Sequence, residues 1–218
     1  MKSILVIAPH PDDEILGCGG TLLKHTANSD TVCCVIVTKA YTPDWSEKFL
    51  HTREQEIKKA HAIMKIEKCY FLDLPTVKVD TIPQKQLNDA LARIISEVKP
   101  EIVYTPSGVD LNKDHRLVHE AVLVATRPTH APFVKRVLAY ETVSETEWGI
   151  APFVPQVYVD ISDVLTKKLG AMKAYASELR QYPHPRSLEG IEILAKKRGI
   201  EAGARACEAF SLIREIIQ

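Results

Sequence analysis

This sequence lacks a surplus of either charge, a long apolar run and any closely paired cysteines. Its 28 Lys and Arg balance 28 Asp and Glu. That balance argues against a general nucleic-acid binder, which needs a basic excess or patch. No stretch approaches the ~20 apolar residues of a membrane span. The segment MKSILVIAPHPDDE turns acidic too soon for a secretory signal, so a cytoplasmic protein is expected. The five cysteines, Cys18, Cys33, Cys34, Cys69 and Cys207, are odd in number and form no CxxC pair. Neither a zinc ribbon nor a disulfide framework is indicated, and buried core thiols are expected instead. There is no internal repeat and no low-complexity linker.

What the chain does have is alternation. Strand-like apolar runs at 3–9, 31–38, 69–74, 101–106 and 136–142 are separated by helix-like segments at 15–27, 46–65, 84–98 and 115–127. Continuous apolar runs suit parallel strands covered on both faces. Their alternation with helices predicts an α/β fold, a Rossmann-like doubly wound, mostly parallel sheet with helices on both faces. The length suits one domain over 1–218. Beyond residue 150 the expectation is a last strand at 157–162, a helix at 163–180 and a final helical region from 188 to 216. This C-terminal third should pack on the same sheet.

In open α/β sheets ligands bind at the carboxyl ends of the strands, and two polar motifs fall there. PHPDDE follows the first strand, and VDLNKDHRLVH follows the strand EIVYTP. A dinucleotide fingerprint does not account for the first. Gly17 and Gly19 are followed by Leu22 where G-x-G-x-x-G needs glycine, and no acid closes the second strand. Asp12 and Asp13 could be helix-start acids favoured by the dipole. Taken with the second motif, however, they point to a metal. His10 and Asp13 can converge from one tight loop, and His115 can add the third ligand of a catalytic site that keeps one position open. Asp12 then stands beside the ion as a general base. His119 shares a helix face with His115 and is read as a supporting or core residue.

With these motifs the chain resembles the PIG-L/LmbE family of metal-dependent N-acetyl sugar deacetylases. The resemblance rests on PHPDDE, on NKDH where the common family form is HPDH, on HTREQE at 51–56 and on YPHPRS. It implies one Zn2+ per chain, with Fe2+ also possible, held by His10, Asp13 and His115. Asp12 is the implied base and Asp114 the implied partner orienting a ligand histidine. The implied reaction is hydrolysis of the acetamide of a small N-acetylated amino sugar or glycoconjugate. The implied assembly is a homo-oligomer, with a hexamer favoured. Asn112 occupies the position of the family histidine that stabilises the oxyanion; it can donate a hydrogen bond but cannot carry charge. His184 and Arg186 in PHPRS are the residues expected to compensate, within the chain or at a neighbouring subunit's site. Arg53 matches the family arginine that contacts sugar hydroxyls. A metal amidase acting on a sugar–thiol conjugate and a catalytically weak sugar-binding protein are the alternative readings.

Overall fold

The computed structural model describes residues 1–217. The apolar runs become β1 (Ser3–Ala8), β2 (Thr31–Lys39), β3 (Lys68–Pro75), β4 (Ile102–Pro106) and β5 (Arg136–Tyr140). Between them lie α1 (Asp13–Ala27), α2 (Glu47–Met64), α3 (Gln84–Val98) and α4 (Lys113–Ala125), with a 3₁₀ turn at Val79–Thr81. The chain then adds β6 (Val157–Asp160), α5 (Leu165–Ala174), α6 (Leu188–Ala202) and β7 (Cys207–Glu215).

One seven-stranded sheet runs in the order β3-β2-β1-β4-β5-β7-β6. Strands β1 to β5 pair in parallel, and β7 runs antiparallel to both β5 and β6. Along β1 every residue from Ile4 to Ala8 is fully buried, as a strand covered on both faces must be. Its side chains divide by parity. Ile4 and Val6 join the core beneath α1, α2, α5 and α6, while Leu5 and Ile7 join the core beneath α3 and α4. The C-terminal third extends this sheet.

The final helical region expected over 188–216 is corrected by the structure. Helix α6 stops at Gly203, whose φ of 73° is the left-handed cap that glycine adopts without penalty. The segment CEAFSLIRE then becomes β7 and inserts between β5 and β6. Its apolar residues are compatible with either period, and pairing on both sides decides the outcome. The expected 163–180 helix is likewise shorter, ending at Ala174.

Helix α1 crosses the sheet closely and is broken at Cys18, which has non-helical φ/ψ of −144° and 18°. A Cβ at Gly17 would fall 2.1 Å from the Tyr140 ring, so only glycine permits this approach. The backbone groups freed by the break find buried partners. Glu208 of β7 accepts from Gly20 N and Thr21 N, both at 2.7 Å, and Lys168 donates to Leu16 O at 2.9 Å. Lys168 and Glu208 are themselves paired at 2.7 Å. A kink with its donors and acceptors satisfied is a stable feature of a helix.

The order of the strands locates the functional crevice. Strand β1 is flanked by β2 and β4, so chain progression reverses direction at that point of the sheet. This is the topological switch where α/β sheets bind ligands. PHPDDE leaves β1 and VDLNKDH leaves its direct neighbour β4.

Candidate metal centre and its cavity

The His10 backbone N–H donates to Asp13 Oδ2 at 2.8 Å and closes the PHPD turn. This brings His10 Nδ1 to 3.3 Å from Asp13 Oδ2. His115, in the first turn of α4, places Nε2 3.2 Å from His10 Nδ1 and 3.2 Å from Asp13 Oδ2. The three atoms form a nearly equilateral triangle. A tetrahedral ion with bonds of about 2.0–2.1 Å has ligand edges of about 3.3–3.4 Å, so these donors fit a zinc-sized ion almost without adjustment.

The far side of each imidazole bears on how a cation would fit there. His10 Nε2 faces Asp114 Oδ2 at 3.2 Å, and His115 Nδ1 faces Asp110 Oδ2 at 2.8 Å. Carboxylates accept, so these nitrogens donate, and in the neutral rings the opposite nitrogens carry lone pairs. Two lone pairs and a carboxylate oxygen therefore confront one another, and a proton or a metal must resolve the conflict. Burial opposes charging His10, but Asp114 and Asp13 outweigh it and raise its pKa to about 9. Burial likewise opposes His115, which Asp13 and Asp110 bring to about 10. Asp13 is driven well below the carboxylate range, because the two histidines overcome its burial.

The two orienting carboxylates are themselves fixed. Asp114 accepts from Val77 N at 2.7 Å and Val79 N at 3.2 Å. Asp110, fully buried, accepts from Thr146 Oγ1 at 2.6 Å. The structure thus adds Asp110, a residue to which the sequence motif gave no role. Its signal was available in principle, since a ligand histidine needs an acceptor on its second nitrogen and Asp110 lies five residues before His115.

Asp12 does not behave as a helix cap. Its side chain makes no capping hydrogen bond, and its backbone sits at φ 109°, ψ −28°. Such a conformation costs about 1–3 kcal/mol and clusters at functional sites. Its N–H is held by Glu14 Oε2 at 3.1 Å, while its own Oδ2 is buried without a partner. Burial, the neighbouring Asp13 charge and Glu178 raise its pKa well above the usual value, against the lowering effect of Arg53. Glu14 is fully buried and also receives Tyr175 OH at 2.7 Å, so it supports the loop.

A cavity of about 1020 Å³ opens over this centre, and His10, Asp12, Asp13, Asn112 and His115 are among its lining residues. Asn112 caps α4, with its Oδ1 accepting from Asp114 N at 3.0 Å. Burial raises the pKa of the neighbouring Glu145 carboxyl, and a hydrogen bond from the Asn112 side chain only partly offsets it. Arg53 and Arg186 both line the cavity and share the Glu178 carboxylate. Arg53 Nη1 lies 3.6 Å from Glu56 and is buried without a hydrogen-bond partner. His184 is not among the lining residues; its Nδ1 accepts from Arg186 N at 3.0 Å and shapes the loop that carries Arg186. His119 points elsewhere, with Nδ1 2.9 Å from Pro106 O. Among the described residues, no helix is long and apolar enough to cross a membrane.

Comparison with known proteins identifies the family. The uncharacterized deacetylase YaiS of Escherichia coli K12 is 30% identical over 185 residues, covering 81% of this chain and 91% of the relative. A probable N-acetyl-α-D-glucosaminyl L-malate deacetylase of Bacillus anthracis is 26% identical over 188 residues, covering 81% of each chain. The crystal structure of the conserved protein TT1542 from Thermus thermophilus superposes with a TM-score of 0.82 at 26% identity, covering 100% of this chain and 97% of that one. Residues 5–126, which span both motifs and run from within β1 through α4, match the family described as PIG-L, GlcNAc-PI de-N-acetylase. The chain belongs to the PIG-L family of deacetylases.

Proposed function

We propose that this protein is a metal-dependent hydrolase that removes the acetyl group from the nitrogen of an N-acetylated amino sugar carried in a conjugate. The observation that carries the reading is the unpartnered, buried Asp12 Oδ2, on a residue that lines the cavity next to three converging donor atoms. His10, Asp13 and His115 would hold the ion. A divalent cation bound there supplies a Lewis acid for an acyl oxygen and makes a water more acidic.

The remaining steps belong to the chain. Asp12 Oδ2 accepts the proton of the attacking water and returns it to the departing amine, the general acid–base role that its raised pKa suits. The Asn112 amide donates to the developing oxyanion, while its carbonyl stays on the helix cap. Arg53 and Arg186, held by Glu178, bind the sugar hydroxyls. Asp110 and Asp114 keep the two imidazoles turned inward. The cavity exceeds what one monosaccharide needs, which favours a conjugate whose second part lies along the apolar wall of Trp45, Phe49 and Ile57. The name of the Bacillus relative, a sugar joined to malate, supports a conjugate of this kind.

The test is acetate release from a panel of N-acetylglucosamine conjugates by wild-type protein and by Asp12→Asn. Release by the wild type, abolished by chelation and sharply reduced in the variant, is the expected result. Cleavage of larger acyl amides in preference to acetamides would make the protein a metal amidase. Saturable sugar binding without turnover, unchanged in Asp12→Asn, would leave a binding protein.

A further inference from the structure

A second group of donor atoms lies at the wall of the same cavity, which two of its three residues line, and is used by nothing in the deacetylase mechanism. Cys34 Sγ, Cys69 Sγ and a ring nitrogen of His61 all lie within 4.8 Å of one another. They come from three elements. Cys34 and Cys69 are direct partners in the parallel register of β2 and β3, so both thiols emerge on one face of the sheet. His61 descends onto that face from the buried side of α2. We propose that Cys34, Cys69 and His61 form a second, thiolate-rich metal site that takes a zinc-class cation.

Four features support the assignment. The first is the donor set, since two sulfurs and an imidazole select zinc over the hard cations that prefer oxygen. The second is spacing. Zinc bound at about 2.3 Å to sulfur and about 2.0 Å to nitrogen has ligand edges of about 3.5–3.8 Å, so no pair of donors must close by more than about 1.3 Å. The third is a carboxylate in place: Glu14 Oε1, fully buried, lies 3.2 Å from His61 Nε2. It can fix the ring in the way metal-bound histidines are fixed, or take the fourth position itself. The fourth is access. Cys34 is sealed in the core, but His61 and Cys69 line the cavity, giving an ion an entry path and a place for water.

The alternative is a satisfied core in which His61 pairs with Glu14 and the thiols merely fill space. Binding distinguishes the two, because thiolate ligation displaces two thiol protons and gives Co2+ an intense near-ultraviolet charge-transfer band. The centre at His10, Asp13 and His115 has no sulfur and cannot produce that band. The reduced, metal-free, full-length protein is titrated with Co2+ and then with Zn2+.

The expected result is a thiolate–cobalt band in the wild type and in His115→Ala, bleached by Zn2+ and absent in Cys69→Ser. Bound zinc should be about two per chain in the wild type and about one in either variant. Because Cys69 is only half-buried, its serine variant is the one expected to fold. A control without substitution at the thiols measures alkylation of Cys69 in His115→Ala, which Zn2+ should slow at least tenfold. Absence of the band in the wild type, its persistence in Cys69→Ser, or alkylation indifferent to Zn2+ would overturn the proposal. Loss of acetate release in these preparations would bear on the deacetylase reading alone.

Discussion

Two clusters of three donors adjoin one cavity, the first with all three residues in its lining and the second with His61 and Cys69, and they are built in different ways. His10, Asp13 and His115 stand on loops and first helical turns at the carboxyl ends of β1 and β4. Each of their imidazoles has its outer nitrogen on a carboxylate, and each carboxylate is held in turn by Val77 and Val79 or by Thr146. Cys34 and Cys69 are strand residues whose positions come from sheet register, and a single carboxylate, Glu14, serves His61. The first cluster is preorganised by a shell of hydrogen bonds, as precise positioning of reacting groups requires. The second is preorganised by the core itself. An unpartnered carboxylate stands beside the first, at Asp12, and it is on this carboxylate that the proposed hydrolysis at that cluster rests.

The largest effects should come from the first cluster and leave the second untouched. His115→Ala should abolish metal binding there, lowering that occupancy from about one per chain to near zero by elemental mass spectrometry. It should also abolish acetate release. Asp12→Asn should retain the metal but lower turnover by ~10²–10⁴, the contribution of a positioned general base. Unchanged turnover, with an unchanged pH profile, would remove Asp12 from the mechanism.

The same contrast explains what the sequence revealed. The first cluster was legible because loop motifs at strand exits keep their residues adjacent: PHPDDE carries His10, Asp12 and Asp13 within four positions. Asp114 was legible as a neighbour of His115. Asp110 was not, since its role depends on which way the His115 ring turns. Cys34, His61 and Cys69 show no CxxC spacing, because only the pairing of β2 with β3 and the packing of α2 make them neighbours. The fold shows the same division. The parallel strands β1 to β5 follow from apolar runs between helices. Strand β7 falls where the sequence predicts helix, because its place between β5 and β6 is a tertiary choice that no local period encodes.

Asp110→Asn sharpens the comparison at an intermediate scale. It leaves all three ligands of the first cluster in place and weakens only the acceptor on His115 Nδ1. Metal affinity or activity should fall ~10–100-fold, as it does when such orienting groups are changed. Metal binding at the thiol cluster should be unaffected. An equal loss at both would mean that the two share a structural support and are not separate sites.

The pH dependence of the metal-free first cluster follows from its histidines. His10 and His115 are raised from 6.5 to about 9 and about 10 in the fold. Their charge pairing therefore stabilises the apo-protein fully below about pH 6.5 and is lost as pH rises through 9–10. A metal must displace those same protons, so its affinity should rise over the window in which apo-protein stability falls. Thermal denaturation of the apo-protein and a metal titration, each followed against pH, should move in opposite directions. Parallel movement would mean that protons and metal do not compete for these rings.

The smallest effect on stability is expected at Asn112, where two roles meet in one side chain. As the cap of α4 its Oδ1 holds Asp114 N, a contact worth about 1 kcal/mol when replaced by alanine. Asn112→Ala should therefore lower the melting temperature modestly, and Asn112→Ser, which keeps a capping oxygen, should restore it. Turnover in the serine variant then isolates the other role. Serine cannot extend an amide N–H into the cavity, so a fall in kcat at restored stability assigns the Asn112 amide to the oxyanion. Unchanged kcat would reduce Asn112 to a helix cap that keeps Asp114, and through it His10, in position.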